Sequence, residues 1–459
     1  MSAPEPPSDR TVPAPTPQAE FSDAYRRYAL GLLLVVYVFN FIDRQILSIL
    51  AEAIGRDLGL SDTELGVLGG VAFAVLYSVV GIPIARWADR GVRRSIIALG
   101  LFVWSGMTAL TGFANNFTQL ALARVGVGLG EAACSPPAHS LLSDYFPPER
   151  RGTALSIYSL GIPIGSAVGV FAGGWINEAF DWRTAFFVVG LPGILLAAIV
   201  RLTLREPPRG LSEAAAATAA TAAGEGTQRD SVWDVLRFMW RLRSFRHMSL
   251  AAALHAFYGY GAGFFLPAFM IRVHGFSYGE LGTYLALLTL FGSGTGTFLG
   301  GWLGDRFAAR DQRWYLWVPA AATVIGLPFA AGLYLWPDGY VALAFGLPAA
   351  LMGAMYLGPT FAMAQGLSRL HMRALVSALL LFVINLIGLG LGPLVVGLLS
   401  DLLKPAYAEE SVRYALFWVV GIGAVWSTFH YLLAARTLRS DLEAKNAGDE
   451  RSRPSADGS

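Results

Sequence analysis

Cysteine and charge are both scarce in this chain. The single cysteine, Cys134, excludes an internal disulfide and any cysteine-built metal centre. Only 14% of the 459 residues are charged, 54% are hydrophobic and the mean hydropathy is +0.51, which excludes a soluble domain and leaves an integral membrane protein. A net charge of +2 gives no nucleic-acid surface. Residues 1–27 are rich in proline and alanine and lack the apolar core of a signal peptide, so they read as a disordered cytoplasmic tail. No nucleotide motif is present. Gly126, Gly128 and Gly130 do not make a phosphate loop, because no strand precedes them and the run is transmembrane. No enzyme activity, cofactor, metal or ATP-driven pumping is expected.

Apolar runs are plentiful instead. They fall near 28–50, 66–86, 95–114, 117–142, 153–177 and 184–204, and again near 247–271, 281–304, 314–336, 340–368, 374–400 and 414–435. Each is long enough to cross a hydrocarbon core of about 30 Å as a helix. The expected fold is all-α and integral to the membrane, with twelve transmembrane helices in two six-helix bundles. The bundles are expected over 28–204 and 246–437, with a cytoplasmic linker over 205–245 and a disordered tail over 438–459. The linker opens with REPPRG, continues as an alanine-threonine tract and ends in a basic segment with Trp233 and Trp240, which reads as an interfacial helix.

With the N-terminus in the cytoplasm, most of the 34 lysines and arginines fall on the cytoplasmic side. Arg56, Arg183, Arg272, Lys404 and Arg413 lie outside, and Arg44 and Arg124 within spans. This bias places both termini in the cytoplasm, in keeping with a bacterial inner membrane.

The halves repeat. ARWADRGVRR (85–94) after span 2 is echoed by GWLGDRFAAR (301–310) after span 8, with Asp305 answering to Asp89. The shift from one to the other lays span 1 on span 7 with the same topology, a parallel repeat. Glycines at spacing four (Gly161, Gly165, Gly169 and Gly173 in span 5; Gly292, Gly296, Gly300 and Gly304 in span 8) form ladders where helices approach closely. Two such smooth surfaces are expected to slide on one another.

The chain is organised around RVGVGLGE (124–131), where Arg124 and Glu131 share a face two turns apart. Asp43 and Arg44 sit inside span 1. Ionisable groups at the centre of a bilayer cost about 3 kcal/mol or more each, so they face a protein interior or a wet cavity and pair there. These four residues are the expected binding and proton site. The second half offers His255, Tyr258, Tyr356, Phe361 and Asn385 among aromatic and methionine side chains, a wall suited to an apolar tail. In the cytoplasmic loops, Asp89, Arg90, Arg93, Arg94, Asp144, Arg150, Arg151, Asp305 and Arg306 are expected to gate, through ion pairs that latch the inner ends of the bundles.

Twelve spans, a central insert and the repeated Asp-Arg loop make the chain resemble the major facilitator superfamily. Ala88, Asp89, Arg90, Arg93 and Arg94 match its loop pattern, while Ala85 and Val92 replace its glycines. FIDRQ in span 1, RVGVGLGEAACSPPAHSLLSDYFPPERRG across spans 4 and 5, and DWR at 181–183 are similar to the spinster family of lipid transporters and its bacterial relatives. The resemblance implies rocker-switch transport of a sphingolipid or lysophospholipid, coupled to protons. It also makes spans 1 and 4 neighbours, so that Asp43 is expected to pair with Arg124. Glu131, with no cation beside it, is then the expected proton carrier.

The function expected is secondary active transport of an amphipathic, lipid-like substrate by a monomer, its partners being the bilayer, the substrate and protons. A multidrug or organic-anion antiporter is the alternative within transport, and a non-transporting sensor or scaffold the alternative outside it.

Overall fold

The computed structural model describes residues 21–209, 232–369 and 372–451. The expected N-terminal tail up to residue 20, the alanine-threonine tract from 210 and the last eight residues lie outside the described residues. Twelve helical spans are present among those described. In the first half they are α1 (Asp23–Leu58), α2 (Asp62–Gly69 and Val71–Arg90), α3 (Arg93–Thr111), α4 (Phe117–Glu131 and Ser135–Tyr145), α5 (Pro148–Ser159 and Gly161–Ala179) and α6 (Trp182–Thr203). In the second half they are α7 (Arg243–His274), α8 (Tyr278–Leu287, a π-helical turn Leu288–Gly294, and Thr295–Ala308), α9 (Trp314–Leu335), α10 (Gly339–Ala354 and Leu357–Leu367), α11 (Arg373–Val383, a π-helical turn Ile384–Leu389, and Gly390–Tyr407) and α12 (Ser411–Arg451). A linker helix, Val232–Arg241, buries Val235 and Met239 and leaves Trp233 and Trp240 exposed.

The face on which α1 begins is called the near face, and the opposite one the far face. Local chemistry sets the far-face turns. Gly59 (φ 65°) ends α1 and Gly275 (φ 72°) ends α7, each in the left-handed region that favours glycine. Two residues on, Ser61 and Ser277 cap the next helices, each hydroxyl accepting the amide three residues later, from Glu64 at 3.2 Å and Glu280 at 3.3 Å. The segments GLSDTELG (59–66) and GFSYGELG (275–282) are thus one turn used twice, related by the shift that carries Asp89 to Asp305. The same shift relates Ser48 to Phe264, and the Ser48 hydroxyl donates to the carbonyls of Gly263 and Phe264 at 3.1 Å each. A residue that touches its own repeat mate lies beside the pseudo-twofold axis, which therefore passes between α1 and α7.

The glycine ladders pack inside the bundles. Gly165 and Gly169 lie against Val38, Phe41 and Ile42 of α1, and Gly296 and Gly300 against Leu351 and Met355 of α10, with no room for a methyl group. The expected sliding surface is elsewhere. Different glycines meet the opposite bundle: Gly66 against Pro393, Gly70 against Gly390 and Gly397 against Asp62 along α2 and α11, and Gly174 against Tyr278 and Gly282 against Val170 along α5 and α8. These seams run through the far-face halves of the four helices. Backbone meeting backbone leaves no rotamer able to move aside, so Gly66→Val should prevent the far face from closing. Cysteine accessibility at the far ends of α2 and α11 should rise several-fold in that variant.

The last helix runs on to Arg451, where a disordered tail was expected from residue 438. Tertiary contacts hold it. Asp441 accepts the Ser244 amide and hydroxyl at 2.6 Å each, capping α7, whose own preceding residue, Leu242, makes no side-chain cap. Arg439 reaches Asp311 at 2.9 Å. Hydrogen bonds from Arg313 and Arg439 hold the Asp311 carboxyl, in the loop between α8 and α9, below the usual carboxylate range.

Candidate functional site

The glycines of RVGVGLGE thin one helix so that it can wedge between two others. Gly126 and Gly130 let α4 close on Met107 and Trp104 of α3, and Gly128 lets it close on the Phe73 carbonyl of α2. The wedge presents Arg124 and Glu131 toward α1. Directly after Glu131 the helix breaks, and it restarts at Ser135-Pro136-Pro137.

At this level Arg44 Nε donates to Glu131 Oε2 at 2.7 Å. The Arg44 guanidinium lies 5.0 Å from the Phe41 ring, 5.0 Å from Phe73 and 4.7 Å from Tyr77. Arg124 also lies over the Phe73 ring, at 5.2 Å, and donates from Nε to the Leu68 carbonyl at 3.4 Å. One buried ring thus lies within reach of two cations. Tyr260 of α7, 40% exposed, is a second-bundle group within electrostatic reach of Arg44 and Tyr77.

The expected pairing is corrected here. Glu131, expected to have no cation beside it, holds Arg44, while Asp43, expected to pair with Arg124, faces Trp104 and Thr108 of α3. Its Oδ1 and Glu131 Oε1 make no hydrogen bond among the described residues. The reason is helical: consecutive residues point about 100° apart, so Asp43 and Arg44 cannot face the same neighbour. Arg124 remains within electrostatic reach of both carboxylates.

The second-bundle residues divide. His255 is buried, its Nε2 donates to the Gly353 carbonyl at 2.8 Å, and its Nδ1 accepts from the Tyr258 hydroxyl at 2.8 Å. Gly353 stands just before the break of α10 at Met355-Tyr356, where carbonyls lose their helical partners, so His255 serves the backbone inside its own bundle. Half-buried Tyr356 stacks on the His255 ring at 4.0 Å. Phe361 packs against a hydrophobic cluster of the second bundle. Asn385 sits on the π-helical turn of α11, which touches α2.

Near-face charges hold within each half. Arg93, 1% exposed, donates to Asp144, to Glu206 at 2.7 Å, to Ser140 at 2.8 Å and to the Pro207 carbonyl at 2.9 Å. Arg94 bonds the Leu204 carbonyl and Arg151 the Ser143 carbonyl. Arg90 and Arg150 are exposed, and the Asp89 side chain lies outside the described residues. In the other half Asp305 accepts from the Tyr315 hydroxyl at 2.8 Å, and Arg306 lies 5.4 Å from the Trp302 ring. The bundle-to-bundle latch expected of these groups is therefore not formed by these contacts.

Ion pairs that do cross between the bundles stand at the far face. Arg272 of α7 takes Asp62 of α2 in a two-pronged grip at 2.6 and 2.8 Å and also donates to Glu52 of α1, all three largely buried. Ser400 of α11 donates to Asp62 at 2.6 Å. Sequence reasoning counted Arg272 only as an outside arginine and passed over Glu52 and Asp62. The signal available was a carboxylate in the apolar run before Gly55, opposite one of the few outside cations.

Two six-helix bundles with a buried charged cluster at mid-span and ion pairs joining them at one face define a multi-pass membrane transporter. The model of the Major Facilitator Superfamily matches residues 33–344, and the chain belongs to that superfamily. Among solved structures it is similar to a bacterial homolog of the human lysosomal transporter spinster in an inward-facing, unoccupied conformation. Identity is 33%, coverage 92% of this chain and 99% of that one, and the TM-score 0.83. An MFS-type efflux pump of Mycolicibacterium smegmatis is 36% identical over 414 residues, 90% of this chain and 94% of the pump. A probable L-galactonate transporter of Escherichia coli is 36% identical over 169 residues, 37% of each chain.

Proposed function

We propose that the protein is a proton-coupled secondary transporter of an anionic or zwitterionic, lipid-like amphiphile, a lysophospholipid or a sphingoid phosphate, working by rocker-switch alternating access. Arg44 carries the reading. It is the cation of the cleft that is both held by a carboxylate and ringed by aromatic faces, so a substrate anion and Glu131 compete for one guanidinium. A proton on Glu131 releases Arg44 to the substrate, and its departure returns Arg44 to Glu131. That exchange couples the two movements. Aromatic groups from both bundles, Tyr77 and Tyr260 among them, receive the apolar part. With the near face in the cytoplasm, the sealed far face makes this the inward-facing arrangement, as in the similar spinster homolog.

The test is flux into proteoliposomes with a lysophospholipid and a sphingoid phosphate at several pH gradients, for the native chain and Glu131→Gln. Native flux should follow the gradient, whereas the variant should lose that dependence even where flux remains. A pH profile unchanged by the substitution would refute the role of Glu131. Efflux of small organic anions or drugs is the second reading, favoured by the similarity to the mycobacterial pump over nearly its whole length. Tighter binding of a soluble drug than of a lysolipid of like charge would select it.

A further inference from the structure

Two carboxylates outside the charged cleft reach across the bundle interface in the same way. Asp401 of α11 accepts the Thr63 amide at 2.7 Å, the Thr63 hydroxyl at 2.6 Å and the Asp62 amide at 3.2 Å, at the first turn of α2. Glu178 of α5 accepts the Gly279 amide at 2.6 Å, at the first turn of α8. Thr63 and Gly279 are repeat mates, related as Asp89 is to Asp305.

The carboxylates are mates too. The offset from Glu178 to Asp401 is also the offset from Val170 to Pro393 and from Gly174 to Gly397. Those pairs make equivalent contacts: Gly282 meets Val170 as Gly66 meets Pro393, and Gly174 meets Tyr278 as Gly397 meets Asp62. Each bundle therefore extends one carboxylate to a helix start of the other, where unpaired amides and the helix dipole favour an anion. Trp175 adds a bond from Nε1 to the Thr283 hydroxyl at 3.0 Å along the α5 and α8 seam.

We propose that Glu178 and Asp401 are a pseudo-symmetric pair of latches that hold the far face closed, and that both must release their helix starts before that face opens. The proposal rests on the alternating-access reading above. Neither carboxylate touches the charged cleft, so the latches act on the equilibrium between states and not on substrate recognition. They are unequal. Asp401 is half-buried and accepts three bonds, whereas Glu178 is exposed and accepts one. Removing Asp401 should raise the ratio of far-face-open to far-face-closed molecules roughly tenfold, and removing Glu178 by a few-fold.

The experiment uses the full chain with Cys134→Ala, in lipid nanodiscs. Spin labels at Phe113→Cys and Glu409→Cys report the far face, and labels at Arg150→Cys and Arg306→Cys the near face, with distances read by pulsed electron resonance. Glu178→Ala with Asp401→Ala should add a longer far-face distance while the near-face pair shortens. Glu178→Gln with Asp401→Asn retains acceptor oxygens and should shift the same populations less, and it serves where the alanine pair does not fold. A far-face distribution matching the native one in the double variant, or lengthening at both faces together, overturns the latches. A native chain with one unchanging far-face distance at every pH, with and without lysophospholipid, overturns alternating access itself.

Discussion

Arg44→Ala should abolish transport and lower stability by about 3–5 kcal/mol, the range for stripping one partner from a buried ion pair. Glu131 is 1% exposed, its Oε1 makes no hydrogen bond among the described residues, and Arg44 supplies the bond to its Oε2. Alanine would leave the buried Glu131 carboxylate without the guanidinium that pairs it. Arg44→Ala combined with Glu131→Gln should recover most of the stability, because no charge is then stranded, and none of the transport. Thermal unfolding in detergent measures the first quantity and proteoliposome flux the second. An Arg44→Ala protein as stable as the native chain would show that the pair is solvated, against the burial on which the site depends. Arg44→Lys is a sharper probe, since an ammonium keeps the charge but loses the flat face set among Phe41, Phe73 and Tyr77.

Arg272→Ala should move the resting state. The guanidinium is shared by Asp62 and Glu52, so its loss places two carboxylates, 2% and 3% exposed, in a closed seam without their common cation. Opening the far face hydrates both. The molecule should therefore populate an arrangement open at the far face, and reagents added on that side should reach cysteines in the α2 and α11 seam at least tenfold faster. Flux should fall as well, because each cycle must pass through a closed far face. Arg56 is the control: it also bonds Glu52, at 2.6 Å, but its side chain is 61% exposed, so Arg56→Ala should change accessibility little.

Much of the fold was legible because a bilayer imposes its thickness on the sequence. Apolar runs marked the spans, and the matching loops around Asp89 and Asp305 set the register of the repeat. The charged residues of α1 and α4 were also legible, since ionisable groups in apolar runs have few structural uses. Their partners were not. Which way Arg44 points depends on helix rotation and on the thinning of α4 by Gly126, Gly128 and Gly130, neither of which a depth count along the axis contains. The far-face network escaped for a related reason. Glu52, Asp62 and Arg272 lie on three different spans, and only their convergence at the bundle interface distinguishes them from ordinary charges at a membrane boundary. The partners of His255 were no more legible: its ring nitrogens serve a carbonyl freed by the break in α10 and the hydroxyl of Tyr258.

The hold of Asp441 on Ser244 joins the opening turn of the second bundle to a residue made 197 positions later. During synthesis α7 must enter the bilayer with that turn unfinished, and it is completed only once Asp441 has left the ribosome. A protein shortened before Asp441 should therefore insert normally and yet leave α7 frayed at its start. A reporter fused beyond Arg451 should leave that late closure intact.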